Sequence, residues 1–248
     1  MVILGIDIGG TGIKGALVDC ETGRLAGERL RLPTPAGFQP DEVIATITEL
    51  IRHFDYDGPV GAGFPAVVID GRVMTPPTSL SVKGWEAYPV AERISRAAGR
   101  RVTVMNDADV AGLAEMRFGA GRGQMGVVMV FTLGTGIGSV LFVDGVMVPN
   151  LELGRLYLRN RRKVVEYQAA ERARKEKKLS WKAWGKNLNK YFNHIERIFS
   201  PRLIIIGGGV SKKHEKFLPY IHVRAGVVPA ALRNKAGIIG AALAAVPA

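Results

Sequence analysis

Apolar positions change period several times along the chain. ILGIDI, IKGALVD and RLAGERLRL read as three short strands at the start, with Gly9 to Gly12 and Glu21-Thr22-Gly23 as the turns between them. Residues 40–54 switch to helical spacing through Val43, Ile44, Ile47, Leu50 and Ile51. Asp70-Gly71 and Asp144-Gly145, each set between apolar runs, predict two-residue hairpins. VTVM at 102–105 predicts a strand that gives way at Asn106-Asp107 to a helix through VAGLAEMRF. Ser180 predicts a helix cap, and the stripe that follows it (Trp181, Trp184, Leu188, Tyr191, Ile195, Ile198) reads as core. LIII at 203–206, the loop Gly207-Gly208-Gly209 and an apolar helix over 236–246 complete the pattern.

The tetrapeptide GTGI at 10–13 recurs at 134–137. Each copy follows an apolar strand (GIDI; VVMVFTL) and precedes another that ends at Asp (KGALVD; GSVLFVD). The shared context of strand, glycine loop and strand predicts two related lobes. Gly10-x-Gly12-x-x-Gly15 also matches a dinucleotide fingerprint, but that motif opens a helix, and the apolar, β-branched IKGALVD does not. A dinucleotide site is therefore excluded.

Composition narrows the class. With 248 residues, 47% hydrophobic and 23% charged, the chain can bury a real core in one large or two modest domains. Cys20 stands alone, so no intrachain disulfide or cysteine zinc cage can form, and the four histidines lack ligand spacing. No basic leader and no 18-residue apolar span is present, so a soluble cytoplasmic protein is expected. The formal net charge of +12 favours polyanionic partners. Residues 155–178 hold ten basic and three acidic residues, seven of those net charges. A solvated helix face and a polyanion site both fit that stretch.

The candidate chemistry lies in the glycine loops. A carboxylate at the end of a strand just before a glycine turn, as in Asp7-Ile8-Gly9-Gly10-Thr11, can hold a hydrated Mg²⁺ while bare backbone N–H groups receive phosphate oxygens. Thr11 adds a hydroxyl and Lys14 a positive charge, and Gly134-Thr135-Gly136 can grip phosphates in the same way. The competing account is two tight turns that need glycine for positive φ.

GIDIGGTGIKGALVD, NDAD at 106–109, TLGTGIGS at 132–139 and LIIIGGGVSKKHEKFLP at 203–219 together resemble the sugar-kinase branch of the ROK family, most closely its polyphosphate-using members. The resemblance covers nearly the whole chain and is weakest between Arg155 and Lys178. It implies an α/β protein of the two-lobed actin and hexokinase type (ribonuclease H-like), its duplicated lobes closing over a cleft. Residues 1–109 would form the smaller lobe with the first phosphate loop. Residues 110–248 would form the larger, with the second loop and the donor-binding Gly207, Gly208 and Gly209, and helix 236–246 would pack back toward the first.

By the same resemblance Asp107 is the general base at the sugar 6-hydroxyl, Asn106 a hydroxyl ligand, and Glu152 and Glu166 sugar-binding carboxylates. The implied reaction is phosphorylation of glucose or a related hexose, with Mg²⁺ as cofactor, polyphosphate or ATP as donor, and a homodimer as the assembly. The basic surplus tilts the donor toward polyphosphate, with Lys212 and Lys213 supplying part of a positive track. Three positions depart from the family pattern, one being Tyr157, where the polyphosphate-using members commonly have glutamate. Arg155 stands where the family has histidine, replacing a ring that both donates and accepts with a cation that only donates. Before Trp85, Ser79 and Ser81 stand where the family places an asparagine.

Two other functions compete. One is an impaired or altered-specificity relative with a sugar pocket rebuilt around Arg155, where an Arg155–Glu152 ion pair is expected. The other is a ROK-type repressor, which needs a DNA-binding module ahead of the kinase-like part; with Asp7 so near the start, none is expected.

Overall fold

The computed structural model describes residues 1–77, 82–159 and 162–247. Ser79, Ser81 and Arg161 of the basic stretch lie outside the described residues. The chain divides into two compact units, Met1–Ala114 with Lys235–Ala248, and Glu115–Asn234.

In the first unit the chain runs through strands β1 (Val2–Gly9), β2 (Gly12–Asp19), β3 (Arg24–Leu25) and β4 (Leu30–Leu32), helix α1 (Pro40–His53), strands β5 (Val60–Phe64), β6 (Val68–Ile69) and β7 (Arg72–Val73), helix α2 (Val90–Ala98), strand β8 (Val102–Asn106) and the first two turns of helix α3 (Asp107–Phe118), whose residues from Glu115 on belong to the second unit. The main sheet has the order β3-β2-β1-β5-β8, with β4 also paired to β2. β1 runs antiparallel to β2 and parallel to β5, and β5 runs parallel to β8. α1 opens with proline in its first turn and Asp41 and Glu42 near its N-terminus, where carboxylates suit the helix dipole, and it buries Val43, Ile44, Ile47, Leu50 and Ile51.

RLAGERLRL, expected as one strand, is two. Gly27, Glu28 and Arg29 interrupt the apolar alternation, so β3 and β4 pair with different stretches of β2. The Asp70-Gly71 hairpin forms as expected, with φ of 50° and 73° at the two turn residues and Ile69 opposite Arg72.

The second unit runs through β9 (Val127–Leu133), β10 (Ile137–Val143), β11 (Val146–Leu151), helices α4 (Glu166–Ala169), α5 (Glu171–Glu176) and α6 (Trp181–Phe199), then β12 (Leu203–Gly207) and β13 (Gly226–Pro229). Its sheet order is β11-β10-β9-β12-β13. The directions repeat those of the first sheet: β9 is antiparallel to β10 and parallel to β12, which is parallel to β13. The repeated GTGI therefore marks a duplication of sheet topology.

Ser180 caps α6, its side chain accepting from the Ala183 N–H. Trp184, Leu188, Tyr191 and Ile195 are buried with Phe131, Phe192 and Phe217, whereas Trp181 is half-buried and Ile198 is 53% exposed, so the stripe leaves the core at its last residue. The last helix, α7 (Ala236–Ala244), belongs to the first unit. It lies so close to the sheet that a Cβ at Gly5 would overlap the Ile238 carbonyl, and one at Gly61 the Ala241 carbonyl.

Candidate active site

In the first unit the candidate residues gather at the carboxyl ends of parallel strands, where ligand sites of open α/β sheets form. Asp7, two residues before the end of β1, pairs in register with Gly63 on β5, and Gly63 with Met105 on β8, just before Asn106-Asp107. Two interstrand spacings, about 10 Å, separate Asp7 from Met105. The Asn106 Oδ1 accepts from the N–H groups of Ala108 (2.8 Å) and Asp109 (3.2 Å), and its Nδ2 donates to the Ala66 carbonyl (3.0 Å). The buried amide thus caps α3 and fixes the start of the helix that carries Asp107. One amide hydrogen remains for a hydroxyl ligand.

β1 and β2 join through Gly10-Thr11, with Gly9 opposite Gly12. Among the described residues none of Gly9, Gly10, Gly12, Gly134, Gly136 and Gly138 has φ in the left-handed region. The turn-conformation account of these glycines therefore fails. A Cβ at Gly10 or Gly134 would meet no atom within 4 Å. The chain itself has room for side chains at both positions, whereas a Cβ at Gly12 would meet the Arg31 guanidinium at 2.5 Å.

The charges around the first turn point the same way. Lys14 Nζ pairs with Asp7 Oδ2 at 3.1 Å, both partly buried. Arg31 lies opposite Lys14 on β4, and its Nη2 donates to the Thr11 carbonyl at 2.6 Å. Like charges directly opposite on paired strands repel, and an anion at the turn would relieve that repulsion. Nothing in the sequence placed Arg31 here; only the pairing of β4 with β2 brings it across. Asp7 also touches the start of α7, where a Cβ at Gly237 would sit 2.9 Å from the Asp7 carboxyl carbon.

In the second unit, Gly134 N–H donates to the Gly136 carbonyl (3.0 Å), and the Gly134 carbonyl accepts from Arg172 N–H (3.0 Å), which hangs the start of α5 on the loop. Gly207 pairs with Thr132, and Gly208, at φ 81°, lies so close that a Cβ would crowd the Leu133 backbone. The Gly134-Thr135-Gly136 and Gly207-Gly208-Gly209 loops are therefore neighbours.

Glu152 precedes a 3₁₀ turn in which a Cβ at Gly154 would press on Ile137, and the Ser139 hydroxyl donates to the Leu151 carbonyl (2.6 Å) and accepts from the Leu153 N–H (3.1 Å). These contacts hold Glu152 beside the start of β10. The expected ion pair forms, Arg155 Nε to Glu152 Oε2 at 3.1 Å, with Arg155 49% exposed. Glu166 opens α4. Its charge adds to the effect of burial, the larger of the two, in pushing the Tyr191 hydroxyl well above the ordinary tyrosine range. Among the described residues no hydrogen bond or ion pair joins Glu166 to Glu152 or Arg155.

Lys212 and Lys213 are exposed on the 3₁₀ helix after Gly208. Lys213 Nζ, with Arg174 and Lys216, lies within 6.0 Å of the Trp181 ring centre. The basic stretch is partly neutralised by Arg172–Glu176 and Lys175–Glu171 pairs. Glu115 had no place in the sequence reading. It is 1% exposed and accepts from the N–H groups of Ala120, Ala231 and Leu232, tying two loops together.

A sequence profile of the ROK family matches residues 3–149. The polyphosphate glucokinase of Mycobacterium tuberculosis (strain CDC 1551 / Oshkosh) is 42% identical over 243 residues, covering 98% of this chain and 90% of the relative. That of Mycobacterium leprae (strain TN) is 40% identical over 241 residues, covering 97% of this chain and 73% of the relative. The crystal structure of an inorganic polyphosphate/ATP-glucomannokinase from Arthrobacter sp. strain KM superposes with a TM-score of 0.92 at 43% identity, over 98% of this chain and 97% of that one. This chain belongs to the ROK family and has the actin and hexokinase-like α/β fold of its sugar kinases.

Proposed function

We propose that this chain phosphorylates glucose, or a closely related hexose, at the 6-hydroxyl, with inorganic polyphosphate or ATP as the donor. The observation that carries the reaction class is the pair of bare glycine turns, open to ligand and not required by backbone conformation. The sugar and the donors come from the relatives, whose names state glucose and mannose as substrates and polyphosphate and ATP as donors.

Phosphoryl transfer asks a protein mainly to position groups and neutralise charge. Asp107, at the head of α3, takes the proton from the attacking hydroxyl. Lys14, Arg31 and the N–H groups of the glycine turns receive donor phosphates, joined by Gly207 to Gly209. Glu152 holds sugar hydroxyls. Asp7 fits Mg²⁺ as a single carboxylate ligand, partly exposed beside the first turn. Such an ion takes one or two carboxylates, with waters and donor phosphates completing its shell. It would offset the charge of the donor phosphates. The reaction is placed in the cytoplasm and assigned to a homodimer, the assembly the family resemblance implies. Among the described residues no helix is long and apolar enough to cross a membrane.

A coupled assay of glucose 6-phosphate formation, run in parallel with ATP and polyphosphate, tests this function. Asp107→Asn keeps the volume and loses the proton acceptor, so kcat falls by about 10² to 10⁴. A variant with near-normal kcat removes Asp107 from the mechanism. One observation favours a second reading, a sugar pocket with altered specificity: the Arg155–Glu152 pair occupies a carboxylate meant for the sugar. Turnover of another hexose well above glucose would establish it.

A further inference from the structure

Helix α6 carries a charged face that the site described above does not use. At 100° per residue, Lys182, Lys186, Lys190, His194 and Arg197 fall within an arc of about 120°, opposite the buried stripe of Trp184, Leu188 and Ile195. The lysines and Arg197 are exposed, and His194 is half-buried. The one carboxylate in the helix, Glu196, is buried and taken by Arg224 Nε (3.3 Å) and the Ala225 N–H (2.8 Å). Among the described residues none of Lys182, Lys186, Lys190 and Arg197 is ion-paired with a carboxylate.

Near the end of the helix Arg159 joins Lys190, His194 and Arg197 around a concavity of about 480 Å³ with no acidic lining. Its floor is fixed: Asn189 Oδ1 accepts from His222 N–H (2.7 Å), and Asn193 Nδ2 donates to the His222 carbonyl (3.0 Å).

This face weakens the helix that bears it. Like charges four residues apart repel along a helix. Lys182, in the first turn, also opposes the helix dipole. By contrast, the basic residues of α5 are interleaved with glutamates that pair with them. We propose that the outer face of α6 is a docking track for linear inorganic polyphosphate, holding the part of the donor chain remote from the phosphate being transferred. The proposal rests on the donor reading given above.

The geometry suits that occupant. Lys182, Lys186 and Lys190 follow one another about 6 Å apart and Arg197 stands about 10 Å further on, so four cations span about 22 Å of helix, which matches an unbranched chain with closely spaced negative charges. Trp, Tyr and Phe are absent from these positions, so the face offers no platform for stacked bases.

The test neutralises the track in the full chain with Lys186→Gln, Lys190→Gln and Arg197→Gln together. Binding of long-chain polyphosphate is measured by calorimetry across a salt series. kcat/KM is measured with long-chain polyphosphate, tripolyphosphate and ATP. Long-chain affinity is expected to fall about tenfold or more, and the slope of log K against log salt to become shallower by about 2, at roughly 0.7 per lost cation. The kcat/KM values for tripolyphosphate and ATP stay within about twofold. Equal long-chain affinity in the variant and the parent overturns the track. Single-stranded or duplex nucleic acid binding the parent more tightly than polyphosphate, with that binding lost in the variant, overturns polyphosphate as the occupant. Because binding is read without turnover, a parent protein that binds polyphosphate through this face but makes no glucose 6-phosphate from it sinks the donor reading and sustains the track.

Discussion

Replacing Gly134 with alanine should make the protein more stable and less active. A Cβ at Gly134 meets no atom within 4 Å, and the residue lies outside the left-handed φ region. Its two backbone hydrogen bonds, to the Gly136 carbonyl and from the Arg172 N–H, survive the change. Alanine therefore adds no crowding to the folded state while restricting the unfolded chain, a gain of about 0.4 to 1 kcal/mol, or about 1 to 4 °C in Tm. The methyl group, however, projects into open space at the loop, where the proposed function puts the donor phosphates. Displacement of a reacting group by about 1 Å can cost about 10² in rate, so kcat/KM should fall by roughly that factor with both donors. Thermal melts and the coupled glucose 6-phosphate assay read the two effects separately. Gly208→Ala is the contrast, because at φ 81° and against the Leu133 backbone it should destabilise the fold outright. If Gly134→Ala leaves kcat/KM within about twofold for both donors, the loop is only a turn and the phosphate assignment is wrong.

Arg155→His frees Glu152 and restores a side chain that both donates and accepts; it should raise kcat/KM for glucose by more than about threefold, and a smaller change makes Arg155 a neutral replacement. Burial, the largest influence on Glu196, would raise its pKa, but the Ala225 N–H and the Arg224 guanidinium together hold it below the ordinary carboxylate value. A depressed carboxylate contributes stability above its unfolded pKa and loses it as pH falls through the folded one. Glu196→Gln should therefore cost about 1 kcal/mol in urea melts at neutral pH, with the gap closing once the solution is more acidic than the unfolded glutamate value. A gap that persists in acid would mean the loss comes from packing.

The sequence discloses what is local. Strand, glycine turn and strand can be read at 2–19 and again at 127–143, and so can the change from strand to helix at Asn106-Asp107, because each is set by adjacent residues. What depends on partners distant along the chain cannot be read. Arg31 reaches Thr11 only because RLAGERLRL breaks into two strands that both pair with β2. Glu115 reaches Ala231 and Leu232 only through the folding of the second unit. In α6 the aromatic stripe marks the buried face, while the basic outer face shows only once the helix is wound and Glu196 is seen to turn inward. In residues 155–178 the sequence shows three glutamates among ten basic residues but not which of them pair, as Glu171 does with Lys175 and Glu176 with Arg172.

The position of α7 governs how the chain comes together during synthesis. Residues 236–244 lie against β1 and β5, and glycines at 5 and 61 clear the space for them. The first unit is thus built from both extremes of the described chain, while the second is made of one uninterrupted stretch. A ribosome releases every residue of the later stretch before it releases the helix that closes the earlier one. Vectorial folding therefore completes the middle first, and until α7 emerges the nascent protein carries an uncovered sheet that a chaperone can hold.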